Sequence, residues 1–107
     1  MIRISILYPP SPGSTFNFDY YFNIHMPRSI SLLSKHPGFR SVTVEKGMAE
    51  SVPGTGIFYT VMCHFLFDSV ESFMAALGPH AEELQHDMVN YTNINPHIQF
   101  NEVVILQ

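Results

Sequence analysis

An α+β domain of element order β-α-β-β-α-β is the fold the sequence predicts, and three observations predict it. Stretches with period-2 apolar alternation stand at both ends of the chain and twice in its middle. Two segments with helical periodicity lie between them, and Pro- and Gly-rich breaks separate the pieces. The 107 residues form a single domain spanning residues 1–107, with room for one core but not two.

The first strand follows from Ile2, Ile4 and Ile6 alternating with Arg3, Ser5 and Leu7, and it ends at Tyr8. Residues 9–14 hold three prolines and a glycine and form a loop. A helix then starts near Asn17, a good N-cap, with Asp19 in its first turn, and runs to about Lys35. Pro27 lacks a backbone donor and clashes with the carbonyl of Asn23, so the helix should kink or restart just after His25. His36-Pro37-Gly38 stops it. Residues 41–46 alternate and are rich in β-branched side chains, giving a second strand. Residues 48–56, with Pro53, Gly54 and Gly56, read as a long flexible connection. Residues 57–67 form the strongest strand, apolar on both faces, with Cys63 on one face and Thr60, Met62 and His64 on the other. Asp68 and Glu71 have capping-box spacing ahead of a stripe made by Val70, Phe73, Met74 and Leu77. Gly78 closes that helix, and Pro79 opens a short one with Glu82 and Glu83 near its positive end. After a polar loop over 90–96, residues 97–106 are the last strand.

This order is the ferredoxin-like split arrangement: one four-stranded antiparallel sheet with both helices on one face. If Ile2, Ile4 and Ile6 meet the helices, then Arg3, Ser5, Thr60, His64, Gln99 and Asn101 share the open face. That mixture is too apolar for bare solvent and too polar for a solid core, so two copies packed on these faces would enclose a pocket.

Composition supports a second copy. The chain is 46% hydrophobic and 13% charged, about half the usual charged fraction of ~25%, so some apolar surface belongs against a partner and a homodimer is expected. The net charge of −4, with five unclustered basic residues, argues against nucleic acid and anionic membranes. Cys63 is alone and cannot form an internal disulfide, no run approaches a membrane span, and the chain reads as cytoplasmic.

Residues 19–27 are the densest in proton-moving groups. On a helix Tyr21 and His25 are four apart and share a face. An imidazole titrates near neutrality, and a phenol beside it can donate to a developing enolate. His25 is therefore the candidate base, and Tyr21 or its neighbour Tyr20 the candidate donor. Substrate-binding candidates are His64, Thr60, Met62, His80, Asn90, Tyr91 and Gln99. His80 stands at a helix start, where the dipole disfavours positive charge. Alternation sends Cys63 and His64 to opposite faces, so they make no catalytic pair, and Cys63 reads as a small buried hydrophobe. The six histidines include no His-x-His or His-x-x-x-His pair, so no metal site is expected. No dinucleotide or phosphate fingerprint is present. No cofactor is expected, although a single axial His in an apolar pocket leaves haem open.

Asp19-Tyr20-Tyr21-x-x-x-His25-x-Pro27, Met62-Cys63-His64, Asp68-Ser69-Val70-Glu71, Gly78-Pro79-His80 and Asn90-Tyr91-Thr92 together resemble the EthD family over nearly the whole chain. The resemblance implies the dimeric α/β-barrel form of the ferredoxin-like fold, with a cavity between sheet and helices. It also implies a loose association with oxidative breakdown of small organic molecules, in a group whose relatives include cofactor-free monooxygenases, isomerases, dehydratases and simple ligand binders. Two readings follow. One is a cofactor-independent enzyme, an oxidoreductase of monooxygenase type or an isomerase or dehydratase, acting on a small, partly apolar compound. The other is a non-catalytic protein that binds such a compound or delivers it to a separate oxidative enzyme.

Overall fold

The computed structural model describes residues 1–107. Its strands are β1 (Ile2–Tyr8), β2 (Phe39–Lys46), β3 (Val61–Phe67) and β4 (His97–Glu102). They form one antiparallel sheet in the order β2-β3-β1-β4, the ferredoxin-like α+β fold. No helix is long and apolar enough to cross a membrane.

The first helical arm has three consecutive segments: α1 (Phe18–Tyr20), a π-helical turn (Tyr21–His25) and α2 (Met26–Leu33). Asn17 caps it, its side chain accepting from the Tyr20 N–H. The expected disturbance at Pro27 takes the form of the π turn, in which the Met26 N–H reaches back five residues to the Tyr21 carbonyl. Widening the helix ahead of Pro27 accommodates a ring that cannot donate, and the α-helix restarts at Met26.

The second arm comprises α3 (Val70–Leu77), a 3₁₀ turn (Gly78–His80), α4 (Ala81–His86) and a second 3₁₀ turn (Asp87–Asn90). The capping box expected from Asp68 and Glu71 is made instead by Ser69 and Ser72. Each backbone N–H donates to the other's hydroxyl at 3.1 Å, while Asp68 accepts from Arg40 at 2.6 Å. Gly78 does not close the helix by a left-handed turn. Its φ of −48° keeps helical geometry, so the chain runs nearly unbroken into α4.

Two strands are shorter than their alternation predicts, because ladder partners set strand length. β3 starts at Val61 rather than at residue 57, since its neighbours end opposite Val61 at Tyr8 and Lys46, and Pro9 and Pro10 deny β1 any continuation. β4 ends at Glu102, paired with Ile2 at the start of β1. Val104, Ile105 and Leu106 lie exposed beyond it.

The face assignment follows the alternation. Ile4, Tyr8, Val61, Cys63, Phe65 and Phe67 are buried beneath the helices with Tyr21, Met26, Leu33 and Phe73. On the open face a polar chain crosses all four strands. Gln99 donates to Asn101 at 2.7 Å, and Asn101 donates to the Ser5 hydroxyl at 3.3 Å. Ser5 meets His64 Nδ1 at 2.8 Å, and His64 Nε2 stands 3.4 Å from Glu45. Flanking it are the apolar side chains of Leu7, Met62 and Leu66 on β1 and β3.

Candidate functional site

A cavity of about 310 Å³ lies between the sheet and the helices of one chain. Its floor comes from β1, β3 and β4, including Ile4, Ile6, Cys63, Phe65, Ile98 and Phe100. Its walls include Met26 and Leu33 of α2, Phe73 and Leu77 of α3, and Leu84 of α4. Hydrophobic residues make up 17 of the 21 that line it. The imidazole of His25 enters from the π turn, 7% exposed.

Two partners define what that ring can do. Nδ1 lies 2.9 Å from Oδ2 of Asp87, so it carries the proton and donates, which leaves the lone pair of the neutral ring on Nε2. Nε2 lies 3.5 Å from the hydroxyl of Tyr91, a long contact that keeps the lone pair within reach of a ligand. Tyr91 in turn bonds to the Tyr8 hydroxyl at 3.0 Å. A carboxylate, an imidazole and two phenols thus run in series from the outer surface into the cavity wall.

Asp87 occupies the outer groove rather than the cavity. Its Oδ1 accepts from the Tyr20 phenol at 2.5 Å and from the Asn90 amide at 2.9 Å. Burial pulls its pKa upward, but the hydrogen bonds from Tyr20, Asn90 and His25 together outweigh burial and hold the carboxyl below its ordinary 3.8. The same carboxylate raises the pKa of Tyr20, whose proton it accepts as a hydrogen bond. Because the folded pKa is depressed, this stabilisation is fully present above 3.8 and is lost as pH falls through the folded value. Asp87→Asn should cost about 1–3 kcal/mol at pH 7. Urea titrations should show that gap from wild type narrowing as the pH falls below 3.8; a gap constant from pH 7 to pH 3 would contradict the depressed carboxyl.

The three phenols that line the cavity are held neutral. Burial pushes Tyr8 up to about 12 and drives Tyr91 and Tyr21 further up. Cys63, also through burial, is raised to about 12 and stays a thiol.

The sequence candidates are spread over the cavity, an outer groove and the open face of the sheet. His25, Tyr21 and Tyr91 line the cavity. Tyr21 meets His25 through its ring, stacked at 5.6 Å with planes 16° apart, so the phenol oxygen next to Nε2 belongs to Tyr91. Tyr20 and Asn90 lie in the outer groove, where they hold Asp87. His64, Met62 and Gln99 sit on the open face of the sheet and line no part of the cavity. Thr60 precedes β3, its N–H donating to the Tyr8 carbonyl at 2.7 Å. His80 is half-buried in the 3₁₀ turn before α4, away from the cavity lining. No group of three or more His, Cys, Asp or Glu side chains converges so as to hold a metal ion.

Asp87 and Tyr8 are the members that sequence reasoning missed. A faint sign marked Asp87: it is the C-cap of α4, where the helix dipole disfavours a negative charge, so another partner had to account for it. Tyr8 carried no such sign, since a tyrosine ending an edge of alternation reads as core.

The EthD domain family matches residues 14–95, which include the π turn, Asp87 and Tyr91. An EthD-like protein of Ralstonia eutropha JMP134 is 38% identical, with 99% of this chain and 94% of that one covered at a TM-score of 0.89. An ethyl tert-butyl ether D family protein of Bacillus halodurans C-125 is 21% identical, with coverages of 97% and 99% and a TM-score of 0.71. The fold also matches SnoaB, a cofactor-independent oxygenase of Streptomyces nogalater, at 13% identity, coverages of 98% and 92% and a TM-score of 0.58. No curated protein matches the chain.

Proposed function

This chain belongs to the EthD domain family, and from that premise we propose that it is a small-molecule enzyme using cofactor-independent acid–base chemistry on a small, partly apolar organic compound. The observation that carries the reading is the series Asp87–His25–Tyr91–Tyr8 ending in an apolar cavity. A base and a donor at one point of an apolar-lined cavity are what proton transfer beside a carbonyl requires. In this reading Nε2 of His25 takes a proton from the carbon next to the carbonyl. Tyr91, with Tyr8 donating behind it, supports the oxygen as negative charge develops. Asp87 is a positioning residue: it fixes the tautomer and stabilises the imidazolium that forms. Both the proton acceptor and the donor are side chains, so this step needs no resident cofactor.

Isomerisation, dehydration and attack of dioxygen on a stabilised carbanion all begin with such a proton removal. That is why an acid–base site is compatible with the oxidative setting attached to the family. The binding-and-delivery alternative uses the apolar lining equally well, but it gives no role to a carboxylate holding an imidazole by its far nitrogen. The reading extends to a cytoplasmic homodimer joined through the open face, where Leu7, Met62 and Leu66 surround the His64 network.

The test is hydrogen–deuterium exchange at the methyl group of 4-propylacetophenone, followed by NMR in D₂O with the full chain. Exchange should exceed the buffer rate, and Tyr91→Phe should slow it by about 10²-fold, the scale for removing one donor from a developing oxyanion. A wild-type rate equal to buffer at saturating ketone would remove the acid–base reading.

A further inference from the structure

We infer that the cavity admits uncharged molecules with one oxygen function on an apolar body and turns away carboxylates, sulfonates and phosphates of the same shape. The inference deepens the proposed function by naming its substrate class, and it rests on the same cavity.

The first ground is where the cations lie. No Lys or Arg lines the cavity. Arg28 is held outside by Glu83 through two 3.0 Å bonds, Arg40 is paired with Asp68, and Lys46 lies over the Phe18 ring. Arg3 is on the open face of the sheet. An anion entering the chamber would leave water without meeting a compensating charge.

The second ground is the charge already built into the wall. His25 is the one lining group able to become cationic, and Asp87 stands 2.9 Å behind it. Protonated His25 is therefore already neutralised, and a bound carboxylate would be a second negative charge on the same imidazolium. A neutral carbonyl compound creates no such conflict. When a C–H proton moves to Nε2, the enolate and the imidazolium appear together and the net charge of the chamber is unchanged. The raised pKa of Tyr8, Tyr91 and Tyr21, caused mainly by burial, reflects the same resistance to uncompensated negative charge.

The third ground is the arrangement of polar atoms. His25, Tyr91 and Tyr8 form one linked cluster, and Ser29 beside it already donates to the His25 carbonyl at 2.9 Å. Gln85, exposed, is the remaining polar amide of the lining. The chamber thus satisfies one oxygen function and offers apolar contact to the rest of a ligand.

Calorimetric titration of the full chain at pH 8 with 4-propylphenol, methyl 4-propylbenzoate and 4-propylbenzoate tests this. The phenol (pKa ~10) is neutral there and the benzoate (pKa ~4) is ionised, while ester and benzoate share one skeleton. The phenol and the ester should bind at least tenfold more tightly than the benzoate. Benzoate binding within threefold of the ester overturns the inference. Failure of both neutral probes to bind overturns it as well. If the benzoate binds while ketone exchange still depends on Tyr91, only the charge rule falls; if the neutral probes alone bind and no exchange occurs, the charge rule stands and the acid–base reading falls.

Discussion

Replacing His25 by glutamine should lower protein-dependent exchange of 4-propylacetophenone by about 10²–10⁴-fold, the range a positioned general base supplies. Glutamine keeps a polar head of similar reach and can still offer an N–H toward Asp87, but it has no basic nitrogen to turn toward the cavity. The substitution should therefore remove chemistry while leaving the helix in place. Circular dichroism and thermal unfolding provide the control, since a variant that exchanges slowly because it is unfolded would reveal itself there. Exchange retained within a factor of three in a folded variant would show that the imidazole is not the base.

Phe67→Ala should destabilise the protein by about 3–5 kcal/mol, the usual cost of emptying a buried aromatic site. Phe67 is fully buried and meets Phe39 and Phe73 edge-on at 5.6 and 5.3 Å and Phe65 at 6.4 Å. Backbone contacts of β3 with both neighbouring strands leave that site little freedom to collapse. Against a total of roughly 5–15 kcal/mol for a domain, this is a large fraction, and urea unfolding should show a lower midpoint with an unchanged slope. Phe67 does not line the cavity, so the folded fraction should bind 4-propylphenol as wild type does. A loss under about 1 kcal/mol would mean that the aromatic cluster at this end of the sheet is not tightly packed.

Local signals in the chain were legible where the physics is local. Alternation in β1, the Asn17 cap and the obstruction at Pro27 all act over a few residues, and each appears in the structure close to where the sequence puts it. Strand ends were not legible, because a strand stops where its neighbours stop. Residues 57–59 keep a strand-like pattern but lie past the ends of both neighbouring strands. The site was half legible. His25 and Tyr21 share a helix, whereas Asp87 reaches His25 across 62 positions and Tyr8 reaches Tyr91 across 83, separations that no spacing rule spans. Alternation marks the open face as one side of a pocket between two copies, because polar residues fall there. The chamber holding His25 lies under the helices, where the EthD resemblance implies a cavity; large apolar side chains of both layers leave that gap, which patterning alone does not reveal.

The π turn has a bearing on how this helix tolerates change in length. Upstream of it Asn17 anchors the chain, and downstream Met26, Ser29 and Leu33 are committed to the chamber. An α-helix advances about 100° per residue. A π turn holds one residue more than an α turn, so removing the exposed Asn23 and letting the segment wind as ordinary helix should keep the two halves aligned. Winding every residue as ordinary helix would instead swing one half against the other by about that angle. Either the imidazole or the Met26–Leu33 surface would then point the wrong way. The widened turn is thus the hand-set offset that lets one continuous rod aim two separate groups of side chains into the same small room.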